Sequence, residues 1–135
     1  MIEVCCAIVQ KEDKFLAVQR GPESSHPFQW EFPGGKTDPD ETAELCIIRE
    51  IQEELSVEIE VLSELNCVDF DYGNKQVHLI PFVCRIISGK ITLTEHLSMQ
   101  WFSLNDWELI SWSKADEHLI RENLNALKKL KSKKV

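Results

Sequence analysis

The chain is 135 residues long, room for one domain and little more. Its 43% hydrophobic and 28% charged residues fit a soluble globular protein, and 5 glycines and 5 prolines exclude collagen-like and low-complexity classes. The net charge of −8 opposes binding to a bare nucleic-acid polymer, and no apolar run approaches the roughly 18 residues of a membrane span.

Met1-Ile2-Glu3-Val4 places no basic region before an apolar stretch, so a signal peptide is not expected and a cytoplasmic location is. The 5 cysteines are odd in number and lack a CxxC pair, which fits a reducing compartment. Each is expected as a small buried hydrophobe. Residues 1–135 are expected to form a single domain. Its lysine-rich end, 128–135, is read as a frayed, solvated basic tail.

Val4–Val9 predicts a buried strand, and Phe15–Arg20 a second one paired with it as a hairpin across Gln10–Lys14. Gly21–Pro27 is a loop. Trp30-Glu31-Phe32 alternates before Pro33-Gly34-Gly35 interrupts it. Glu41–Leu55 predicts a helix, with Leu45, Ile48, Ile51 and Leu55 as its buried stripe. Val57–Phe70 and Val77–Ile87 predict strands around a turn at Tyr72-Gly73-Asn74. Trp101-Phe102 is a last short strand, Ser103–Trp107 a short helix and Asp116–Leu130 the final helix. This order implies an α/β layered domain with a mixed sheet.

Glu50, Glu53 and Glu54 stand at i, i+3 and i+4 of the central helix and so share a face. Like charges at that spacing cost about 0.2–0.5 kcal/mol per pair. Taken alone, a solvated acidic face and a metal site account for this equally well. The Pro-Gly-Gly loop just upstream lets backbone approach a ligand closely and shifts the balance toward a site. An all-oxygen donor set selects Mg2+, with Mn2+ as a substitute, over zinc. Such an ion suits attack of water on phosphorus, with one glutamate as general base. His78, His96 and His118 show no ligand spacing.

Gly35-Lys36-Thr37-Asp38-Pro39-Asp40-Glu41, seven residues, then Arg49-Glu50-Ile51-Gln52-Glu53-Glu54-Leu55-Ser56-Val57 resembles the Nudix box, G-x5-E-x7-R-E-U-x-E-E-x-G-U. Only Ser56 departs, standing where the family has the glycine that ends the helix. Trp30-Glu31-Phe32-Pro33-Gly34-Gly35-Lys36, Gln19-Arg20 and Trp101-Phe102-Ser103-Leu104 are similar to stretches of the MutT-like members. The resemblance implies a Nudix fold, a mixed β-sheet sandwiched between helices (α/β/α). It also implies catalytic Glu50, Glu53 and Arg49, with Arg49 paired to Glu41. The implied metal ligands are Gly35, through its carbonyl, and Glu50, Glu53, Glu54 and Glu95. Arg20 and Lys36 would contact phosphates. Asp116 would read the base or cap its helix, with Phe32, Leu79 and Phe82 as walls and His26 as a loop contact.

The resemblance further implies Mg2+-dependent hydrolysis of a nucleoside triphosphate, such as 8-oxo-dGTP, to monophosphate and pyrophosphate. CTP or 5-methyl-dCTP is the alternative substrate. A non-catalytic nucleotide sensor is disfavoured because every box glutamate is present. The expected partner is a small nucleotide, without nucleic-acid polymer or membrane, acted on by a monomer or homodimer.

Overall fold

The computed structural model describes residues 1–130. Eight strands form one sheet system among these residues: β1 (Ile2–Lys11), β2 (Lys14–Gln19), β3 (Trp30–Glu31), β4 (Gly34–Lys36), β5 (Glu58–Glu64), β6 (Val68–Asp71), β7 (Gln76–Ser88) and β8 (Ser98–Ser103). The helices are α1 (Ala43–Leu55), α2 (Lys114–Glu122) and α3 (Leu124–Leu130), with a 3-10 turn at Leu104–Leu109.

β1 and β2 form the expected hairpin at Gln10↔Phe15, but the main partner of β1 is β7, parallel from Ile2↔Val77 to Val9↔Cys84. β4 lies antiparallel on the other edge of β1, pairing Cys5 with Gly35. β5 and β6, expected as one strand, are two, and both pair antiparallel with β7. β8 runs antiparallel along all of β2. The sheet is therefore mixed.

Alternation along β1 and β7 serves two cores. Cys5, Ala7, Val9, Ile80, Phe82 and Cys84 pack with α1, while Cys6, Ile8, Val77 and Leu79 pack with α2 and α3. The helices thus cover opposite faces, giving three layers. Phe82 stands on the α1 side and is not a wall of the opposite cavity, as its parity in β7 dictates.

The buried stripe of α1 is Cys46, Ile47, Ile51, Glu54 and Leu55, rotated from the expected one so that Leu45 is 58% exposed. Ile47, Ile51 and Leu55 are fully buried, each contributing about 1.5–3 kcal/mol of apolar burial. Thr42 caps α1 by accepting from the Leu45 N–H at 3.1 Å, so the helix starts two residues after Glu41. Ser56 ends it at φ 59°, ψ 31°, its N–H donating to the Gln52 carbonyl. The serine therefore holds the left-handed turn that a glycine would adopt freely.

Cys67 is exposed, against expectation. Cys5 and Cys46, both buried as expected, are paired as a disulfide tying β1 to α1, against the expectation of free thiols in a reducing compartment. The final helix breaks at Asn123, whose buried amide donates to the carbonyls of Asn66 and Leu119. Residues 128–130 of the expected basic tail are helical, as the end of α3, and the Leu130 carbonyl accepts from Gln10 at 2.8 Å. Residues 131–135 of that tail lie outside the described residues.

Candidate active site

α1 and β4 bring the box residues together. Arg49 forms a two-pronged contact with Glu41, Nη2 to Oε1 at 2.5 Å and Nε to Oε2 at 3.0 Å. Its Nη1 donates to Glu50 at 2.7 Å and reaches Glu53 at 3.3 Å. Hydrogen bonding from Arg49, then from the Asp38 N–H, holds Glu41 down to about 2. Glu41 in turn holds the guanidinium well above its ordinary range, so the pair stays charged at any working pH.

The three helix carboxylates do not share one solvated face. The side chain of Glu53 is 58% exposed, that of Glu50 16% and that of Glu54 4%. Glu50 lies in a hollow that exists because residue 35 is glycine: a Cβ there would meet Glu50 Oε1 at 1.8 Å. Neither carboxylate oxygen of Glu54 has a hydrogen-bond partner. Burial, and then the charges of Glu50, Glu95 and Glu31, push Glu54 up to about 9. Bare, buried oxygens among anionic neighbours make Glu54 a group whose charged form a cation would stabilise. The oxygen-rich donor set around it fits a hard divalent ion.

The loop after β7 closes this side. The Thr94 hydroxyl donates to the carbonyls of Glu53 and Glu54, and the Thr92 N–H to that of Leu55. These bonds satisfy the C-terminal end of α1 and set Glu95 and His96 beside Glu54. One ligand atom from each of Glu54, Glu95 and His96 lies within 4.8 Å of the others. His96 was missed at the level of sequence because both its partners, Glu31 and Glu54, come from other elements. Its adjacency to Glu95 was the one available signal.

On the other side of Glu31 is a cavity of about 140 Å³ lined by Val4, Phe32, Tyr72, Leu79, Asp116 and their neighbours. Asp116 is 7% exposed and accepts a hydrogen bond from the Ser113 hydroxyl. Ser113 is the residue that caps α2, so Asp116 is freed from that duty and sits at the third helical position. Burial, and next the charge of Glu31, push Asp116 up to about 7 against hydrogen bonds from Ser113 and the Phe32 backbone. Phe32 is 4% exposed and packs on Trp112, with ring centroids 5.0 Å apart.

Arg20 bridges the two sides. Its Nη1 donates to Glu31 at 3.0 Å, and it lines both this cavity and a second one of about 240 Å³ with Ser24, Glu95 and His96. Lys36 is exposed and pairs with Val4, which places it on the cavity face of β4, opposite Glu50. His26 is exposed at φ 63°, its ring 5.7 Å from that of Tyr72 at the cavity rim.

A family model described as NUDIX domain matches residues 1–122. A CTP pyrophosphohydrolase of Escherichia coli K12 is 33% identical over 103 residues, covering 76% of this chain and 76% of its own. An 8-oxo-dGTP diphosphatase of Proteus vulgaris is 33% identical over 88 residues, 65% of this chain and 77% of that protein. The solution structure of the E. coli ORF135 protein shares the fold with a TM-score of 0.81 at 29% identity, over 99% of this chain and 95% of that one. The matched range takes in the helix that carries the clustered carboxylates, and the chain belongs to the NUDIX family of hydrolases.

Proposed function

We propose that this chain is a divalent-ion-dependent pyrophosphohydrolase that converts a nucleoside triphosphate to the monophosphate and pyrophosphate. The observation that carries this reading is the junction at Arg20 and Glu31. A flat-walled cavity ending at Asp116 adjoins a polar cavity with Glu95 and His96 in it, and both share that pair. A base fits the first, and a phosphate chain crosses Arg20 toward the carboxylates.

Phe32 and Asp116 hold the base, and His26 closes over the rim. Arg20 and Lys36 bind phosphate oxygens. Glu50, Glu53, Glu54, Glu95 and the Gly35 carbonyl would hold Mg2+, or Mn2+ in its place, which would supply charge neutralisation on the phosphate chain and a more acidic water. Glu50 or Glu53 takes the proton of the attacking water, and Arg49 fixes both against Glu41.

Base identity follows from Asp116. An ionised carboxylate accepts from the two donors on the guanine edge, which supports 8-oxo-dGTP. The protonated form also donates, and so fits the amino group and N3 of cytosine. A midpoint near 7 keeps CTP or 5-methyl-dCTP as the second reading, and the CTP pyrophosphohydrolase relative supports it.

One chain supplies every residue named, so a monomer or homodimer suffices, and a single domain spanning the chain is part of the same proposal. Among the described residues no helix is long and apolar enough to cross a membrane. Nucleoside triphosphates are cytoplasmic metabolites, which supports that location. The test is pyrophosphate release from 8-oxo-dGTP, dGTP, CTP and 5-methyl-dCTP with Mg2+, for the parent and for Glu53→Gln. Cleavage of at least one nucleotide, falling about 10²-fold or more in the variant, is expected. No cleavage of any, or an unaffected variant, overturns the reading.

A further inference from the structure

His96 is built into the site in a way that surface charge does not explain. Its side chain is only 6% exposed. Nε2 lies 3.0 Å from Glu31 Oε2, and Glu31 is itself anchored by Arg20 through its other oxygen at 3.0 Å. With a carboxylate accepting at Nε2, the neutral ring carries its proton there and leaves a lone pair on Nδ1. That Nδ1 has no hydrogen-bond partner, and the nearest carboxylate oxygen, Glu54 Oε1, is 3.8 Å away and equally bare.

The backbone on both sides of the ring is fixed. Thr94 is bonded to the end of α1, and the Leu97 N–H donates to the Gln19 carbonyl at 2.9 Å. The imidazole is therefore positioned before any ligand arrives. A carboxylate on one ring nitrogen and a bare second nitrogen facing acidic oxygens is the arrangement of a metal-ligating histidine with its outer partner. Ligands on one ion with bonds of about 2.1 Å stand about 3–4.3 Å apart, and the Glu54, Glu95 and His96 donor atoms lie within 4.8 Å. A small inward movement on binding closes the difference.

We propose that His96 Nδ1 is a nitrogen ligand of this site. With Glu54 and Glu95 it forms a mixed nitrogen–oxygen pocket that takes a transition divalent ion, with Mn2+ as the probe, in preference to Mg2+. This rests on the reading of the site as divalent-ion dependent. It changes the ligand set from all-oxygen to one that imidazole tilts toward the transition series. Glu31 becomes a positioning residue: it holds the tautomer and couples the ion to Arg20.

The experiment is pulsed electron paramagnetic resonance on the full chain loaded with one equivalent of Mn2+, with binding constants from the free-ion signal. The parent is expected to show 14N hyperfine coupling from a directly bound imidazole. His96→Ala is expected to lose that coupling and to bind Mn2+ at least about 10-fold more weakly, since losing a direct ligand costs no less than losing the outer partner of one. Its Mg2+ affinity, measured by competition, should stay within about 3-fold, since Mg2+ retains water readily where a ligand is missing. Mn2+ bound by the parent without nitrogen coupling overturns this inference and leaves the hydrolase reading standing. Coupling that survives in His96→Ala overturns it as well, since the nitrogen then belongs to another residue. A parent that binds no Mn2+ removes the divalent-ion reading and this inference together. The parent spectrum alone decides the main point if the variant does not fold.

Discussion

Two neighbouring glycines separate folding from catalysis. A Cβ on Gly34 would lie 2.1 Å from the Cys5 carbonyl oxygen and 2.8 Å from the Cys6 Cα, both main chain of the central strand. Backbone in a paired strand cannot retreat, so Gly34→Ala pushes β4 off β1. That costs about 3 kcal/mol, the upper end of ordinary overpacking, or about 10 °C in Tm for a chain of this size.

A Cβ on Gly35 instead meets Glu50 Oε1 at 1.8 Å and its Cδ at 2.5 Å, the far end of a flexible side chain. That carboxylate must withdraw by about 1.5 Å to reach ordinary contact, which takes it away from its 2.7 Å bond with Arg49 and from the ion site. Losing a hydrogen bond to a charged partner is worth about 1.5–3 kcal/mol, so kcat/KM should fall about 10–150-fold. Tm should fall by about 5 °C, less than in Gly34→Ala, because a flexible side chain can swing aside where paired backbone cannot. Thermal melts and steady-state hydrolysis on both variants check this. Full activity in Gly35→Ala, or a Gly34→Ala variant that melts with the parent, would refute the reasoning.

Three further outcomes are expected. Arg49→Lys keeps the charge but cannot span Glu41, Glu50 and Glu53 with one planar fork, so kcat should fall at least about 10-fold with KM less affected; steady-state kinetics decides this, and an equal KM effect would argue for substrate binding instead. Asp116 gains a charge as pH rises through about 7, so kcat/KM for dGTP relative to CTP should climb between pH 6 and 8, and Asp116→Asn should flatten that ratio. Glu54 holds its proton up to about pH 9 in the ion-free fold, whereas the unfolded chain releases it near 4.5. Unfolding then releases a proton, so stability of the chelator-treated protein should fall as pH rises from 5 to 8.5. Asp116 adds a slope of the same sign up to about pH 7, so saturating Mg2+ or Glu54→Gln should flatten the slope in thermal melts between about pH 7.5 and 8.5 and only reduce it below that; a slope above about pH 7.5 unchanged by either would mean that Glu54 is not the group responsible.

The local sequence determined the carboxylate helix and the glycine pair before it, which lie within one turn-and-helix segment where residue spacing fixes the shared face. The Arg49 partnership with Glu41 came from the resemblance to the Nudix box, not from spacing. The local sequence also determined that strands and helices would layer as an α/β domain, because strand and helix periods are read over a few residues. The rotation of α1 was not legible: Leu45 and Glu54 exchange the roles that hydrophobicity assigns them, since the neighbouring carboxylates and the loop at Thr94 outweigh the stripe. Nor was the parallel pairing of β1 with β7, which joins Ile2 to Val77 and depends on loop closure rather than on any local signal. Only that pairing, with β3 held on β2 and the loop after β7 laid across the end of α1, places Glu31 between Arg20, Asp116 and His96. Burial there leaves Asp116 and Glu54 short of water, and it is the missing solvent, set by the tertiary structure alone, that gives those two acids their altered protonation.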